Sequence, residues 1–75
     1  MYPAFRKYKN SNTYFKIISQ NRFEEITFIG DKAFVYVIEA KQYPEFLRIQ
    51  DMLDNVGDAW EEITEQDYIK QKNSI

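Results

Sequence analysis

Any chemistry done by this 75-residue chain has to be done without the usual agents. It contains no His and no Cys, which removes the commonest general base, the Ser–His and Cys–His nucleophile pairs and every imidazole or thiolate metal site. Carboxylates remain, and they are densest in DMLDNVGDAWEE, residues 51–62. If Asp51 is the first ligand of an EF-hand loop, Asn55 falls at the fifth position and Glu62 at the twelfth. Leu53 then sits at the third and Val56 at the sixth, where the loop needs an oxygen ligand and a glycine, and Gly57 comes one residue late. The spacing therefore predicts a solvated acidic turn, with at most a loose divalent-cation site between Asp51 and Glu62. A glycosidase-type carboxylate pair needs a substrate-sized cleft, for which a chain this short has little material. No GxGxxG, P-loop or GxSxG occurs, and the two glycines, Gly30 and Gly57, stand at turn positions. The expectation is a protein that is not an enzyme, with no cofactor and no metal ligand set.

The second constellation opens the chain. MYPAFRKYKNSNTYFK carries Arg6, Lys7, Lys9 and Lys16, five aromatic rings and no acid. Cations that track a phosphate backbone, interleaved with rings on which bases stack, are how small β-rich domains hold single-stranded nucleic acid. Lys7, Lys9, Lys16 and Tyr14 form the candidate face. Against it stands a sequence pI near 5.0, opposite to the usual basic footprint. The same residues also read as an ordinary hairpin, with Phe5 and Phe15 in the core and lysines protecting the sheet.

Six Tyr, six Phe and one Trp are more large rings than a small sheet can easily bury. Exposed rings make the centres of protein interfaces, and Tyr36, Tyr43 and Trp60 are the candidates. Charge is also unevenly distributed. Residues 1–23 hold Arg6, Lys7, Lys9, Lys16 and Arg22 without an acid, whereas residues 45–67 hold eight acids against Arg48 alone. The two halves face each other within one fold or between copies, or one of them meets an outside partner. Together these features favour a protein-binding or self-associating module, its partner an unknown protein or a second copy in a homodimer, with nucleic-acid binding as the alternative.

The elements that must position these groups follow from periodicity. TYFKIIS, FEEITFI and AFVYVIE alternate with a period of two and are rich in β-branched and aromatic residues, which predicts three strands. Gly30-Asp31 between the last two predicts a tight hairpin, since a Gly first in a two-residue loop supplies the positive φ. A short run from Phe5 to Lys9 reads as an edge strand preceded by Pro3. In WEEITEQDYIKQK a strand leads into a helix capped by Thr64, with Ile63 and Tyr68 placed for a hydrophobic staple. Glu65 and Asp67 lie at its positive end and Lys70 and Lys72 toward its negative end.

YPEFLRIQDMLDNV is open between two readings. Phe46, Ile49, Leu53 and Val56 have helical spacing, with Pro44 suited to a first helical position. Leu47, Ile49 and Leu53 also suit a strand, and Asp51 and Asp54 would sit unfavourably near a helix C-terminus. The order FRKYKNSNTYFKI, FEEITFIG, RIQDM, WEEITEQDYIK resembles a group of short uncharacterised bacterial proteins with a β-rich body and a C-terminal strand and helix. That resemblance implies a strand at RIQDM and implies no activity.

The expected architecture is a single α+β domain, residues 1–75, built mainly as an antiparallel β-meander of five to six strands with one C-terminal helix. Its expected core comprises Phe15, Ile17, Ile26, Phe28, Val35, Val37, Ile49, Ile63 and Ile69. No signal-peptide pattern or membrane-length apolar run is present, so the chain is expected to be soluble and cytoplasmic.

Overall fold

A computed structural model describes residues 2–74. In chain order they form β1 (Ala4–Tyr8), β2 (Thr13–Ser19), β3 (Arg22–Ile29), β4 (Lys32–Glu39), helix α1 (Tyr43–Asp54), β5 (Trp60–Glu62) and helix α2 (Glu65–Asn73). The strands make one antiparallel sheet in the order β4-β3-β2-β1-β5. The α+β class and the C-terminal helix match the expectation. A second helix is added, and β1 is an interior strand between β2 and β5, not an edge.

The helix α1 replaces the strand that the resemblance implied at RIQDM. Topology explains why: β4 and β5 are opposite edges of the sheet, four strand spacings or about 19 Å apart. A twelve-residue helix, about 18 Å long, bridges that distance while covering one face. Its start is set locally by Pro44 in the first turn and a reciprocal capping box between Gln42 and Glu45. Its end is set by Asn55 in the left-handed region at φ 50°, with Gly57 two residues further on. The negative end has no cation of its own, and Arg6 from β1 supplies one, its Nε donating to the Met52 carbonyl at 3.1 Å.

Because alternate strand residues point to opposite faces, the sheet has two cores. On one face Phe15, Ile17 and Phe23 pack with Ile49 and Met52 of α1, Ala40 and Trp60. On the other, Phe5 and Ile26 pack against Tyr68 of α2, flanked by Tyr14, Phe28 and Ile63. Phe15, Ile17, Ile26 and Ile49 are buried as expected, while Val35, Val37 and Ile69 are exposed and leave the expected core. The reason is placement: α2 packs on β1 and β2 and reaches β3 through Glu24, so its face of β4 stays open. None of the described helices is long and apolar enough to cross a membrane.

Candidate association surface

β4 is the outermost strand, and its backbone is open on one side. The hairpin Gly30-Asp31, with Gly30 at φ 63°, pairs Ile29 with Lys32. In a two-residue hairpin the closing pair is hydrogen-bonded, and such pairs recur at every second residue. The Ala40 amide donates to the Asn21 carbonyl at 2.7 Å, which fixes the same phase at the far end. Residues 32, 34, 36 and 38 therefore spend their amides and carbonyls on β3. Those of Ala33, Val35, Val37 and Glu39 point outward, where no strand of the described residues pairs with them.

The side chains of this strand are as open as its backbone. Val35 and Val37, on the α2 face, are 43% and 61% exposed, and Phe34 and Tyr36, on the α1 face, are 40% and 52% exposed. Native edges are usually blunted by shortness, charge, proline or a bulge. β5, the opposite edge, has three residues, two of them Glu61 and Glu62. β4 has eight residues in an unbroken register, with charge only at its ends, Lys32 and Glu39. Glu39 is held by Arg22 Nη2 at 2.7 Å. That hydrogen bond and the Arg22 charge keep the Glu39 carboxyl below the usual carboxylate range.

Of the three candidate interface rings, Tyr36 lies mid-way along β4 and Tyr43, 74% exposed, opens α1. Trp60 does not belong with them. It is 8% exposed, stacks on Tyr8 with ring centroids 5.5 Å apart, and its Nε1 hydrogen finds no acceptor among the described residues. Sequence reasoning missed Phe34, Val35 and Val37 as surface groups, because an apolar alternating strand reads as core until its place in the sheet is known.

Three basic residues of the opening hairpin lie opposite acids on neighbouring strands, and a fourth, Lys9, forms an ion pair. Lys7 and Lys16 share the α2 face with Tyr14, and Lys7 Nζ lies 5.8 Å from the Tyr14 ring centroid. Lys7 pairs in register with Glu61, Lys16 with Glu24, and Arg6 with Glu62. Lys9 Nζ reaches Asp58 at 2.7 Å, and this contact holds the Asp58 carboxyl below its usual range. Tyr8, stacked on Trp60, lies on the opposite face from Tyr14. Among the described residues, no cluster of three or more Asp and Glu is arranged to hold a metal ion.

One buried polar cluster ties α2 to the sheet. Tyr68 Oη donates to Glu24 Oε1 at 2.7 Å, and Lys72 Nζ lies 3.0 and 3.1 Å from the two Glu24 oxygens. Burial pushes the Glu24 carboxyl up, but the bonds from Tyr68 and Lys72 and the charges of Lys72 and Lys16 outweigh it, leaving a net lowering. Burial, the bond to Glu24 and its charge raise the Tyr68 phenol. On the other face Arg48 sits over the Phe15 and Phe23 rings at 5.5 and 5.4 Å and pairs with Glu25 at 3.1 Å. Each of these groups has a fold-holding partner.

No family model matches the chain, and neither a curated protein nor a solved structure matches it.

Proposed function

We propose that this chain is a non-enzymatic protein-association module that works through the outer edge of β4. The observation that carries the reading is the combination of outward backbone groups at Ala33, Val35, Val37 and Glu39 with exposed apolar side chains on both faces of the same strand. An open edge of this kind adds a further strand by main-chain hydrogen bonds, and the alternating side chains supply contact area. The lack of His and Cys supports the non-enzymatic part. Sedimentation or light scattering across a concentration series tests it, with the Val37→Lys variant alongside. The expected result is concentration-dependent association that Val37→Lys abolishes without loss of helix and strand signal. A strict monomer that also binds no extended peptide would overturn the reading.

A second reading, single-stranded nucleic-acid binding, rests on Lys7, Tyr14 and Lys16 sharing one face. A labelled oligonucleotide titrated at low and high salt tests it. Binding tighter than about 100 μM that weakens steeply with salt supports it, and its absence removes it.

A further inference from the structure

The open strand carries enough information to name its occupant. We propose that β4 pairs with β4 of a second copy of this chain, antiparallel about a two-fold axis through Tyr36. This rests on the association reading above and goes beyond it in naming the partner and the register.

Only certain registers are allowed. In an antiparallel pair, residues with outward backbone groups must oppose one another. The allowed two-fold arrangements are therefore centred on single residues of β4, and they differ in what they bring face to face. Centred on Tyr36, Val35 opposes Val37 of the second copy and Phe34 opposes Ile38, so the centre of the seam is apolar on both faces. Ala33 opposes Glu39 of the second copy, so all four residues with outward backbone groups find outward partners within the strand. Moving the axis to Val35 puts Glu39 opposite position 31, in the turn, and leaves its outward groups unpaired. Moving it to Val37 sets Glu39 against Val35 and puts Ala33 opposite position 41, beyond the strand end. The Tyr36 axis alone pairs all four outward residues within the strand, and that selects it.

Closure follows from the same geometry. The pairing joins two sheets into one and consumes both open edges. What remains outermost at each end is β5, three residues long with Glu61 and Glu62. A short, charged edge resists further addition, so the assembly stops at two copies rather than growing into a fibre.

The absence of Cys from the sequence makes the register directly readable, because any single-Cys variant can crosslink only to its own copy. Tyr36 sits on the axis in a non-hydrogen-bonded pair, where Cα atoms are about 4.5 Å apart, within the range of about 4.4 to 6.8 Å that a disulfide spans. Tyr36→Cys, Val35→Cys, Val37→Cys and an exposed control on α2, Gln66→Cys, are oxidised under identical mild conditions. Circular dichroism checks that each variant folds, and light scattering of the unmodified chain runs in parallel. The expected result is a covalent dimer from Tyr36→Cys formed at least tenfold faster than from the other three. If Val35→Cys or Val37→Cys is fastest, the register is overturned while association through β4 stands. If all four match the control although the unmodified chain is dimeric, the copies meet elsewhere and the inference falls. If the unmodified chain is monomeric but an extended peptide protects the β4 amides, the occupant is another protein's strand, which overturns the self-pairing and leaves the association reading intact. A monomer that binds no peptide overturns both.

Discussion

Tyr68, Glu24 and Lys72 show how a single position can serve both the fold and its pH response. Glu24 is 8% exposed, and removing its charge leaves the Tyr68 hydroxyl and the Lys72 ammonium short of an acceptor. Glu24→Ala should therefore cost about 1–3 kcal/mol. The direction of its pH dependence is also set. The folded-state value lies below the ordinary 4.5, so Glu24 contributes stability above that pH, and the contribution is lost as pH falls through the lower folded value. The raised Tyr68 phenol acts at the other end: its contribution is present below 10.0 and is lost as pH rises above it. Urea unfolding followed by the fluorescence of Trp60, the one tryptophan, should show stability falling below about pH 4.5 and a flatter acid limb in Glu24→Gln. An unchanged acid limb in that variant would contradict the role assigned to Glu24.

At the scale of elements, each helix is fixed by a few residues at its two ends. The Thr64 hydroxyl accepts the Asp67 amide at 3.1 Å, and Thr64→Ala should destabilise the protein by about 0.5–2 kcal/mol, read from the same unfolding curves. Asn55 does two things, holding the left-handed end of α1 and accepting the Trp60 amide through its Oδ1 at 3.0 Å. Asn55→Ala loses both, for an expected cost of about 1–3 kcal/mol, and Asn55→Gly should recover part of it by relieving the backbone. A result in which Gly is no better than Ala would place the whole effect in the side-chain bond. The α2 terminus was legible in the sequence because its capping signals are local. The three strands and the Gly30-Asp31 turn were legible for the same reason. Helix α1 was ambiguous because Ile49 and Leu53 fit both periods, and because its C-terminal cation, Arg6, is 46 residues away from Met52 in sequence. Val35 and Val37 were misplaced for a related reason: alternation says which residues share a face, but not whether a helix lands on it.

For the molecule as a whole, the basic and acidic halves are brought side by side at the β1–β5 ladder, where Arg6 lies opposite Glu62 and Lys7 opposite Glu61 in register, and Lys9 pairs with Asp58 at 2.7 Å. The charge separation along the chain thus describes strand pairing, and the notable surface is elsewhere, at an apolar strand with one unpaired side. The most direct measurement of the central claim is residue-resolved amide hydrogen exchange along β4 at low and high protein concentration. In the monomer the amides of Phe34, Tyr36 and Ile38, bonded to β3, should exchange slowly while those of Ala33, Val35 and Val37 exchange fast. At high concentration the account predicts that Val35 and Val37 slow by at least tenfold and the alternation disappears. Val35 and Val37 amides that stay fast when the protein is associated would contradict it.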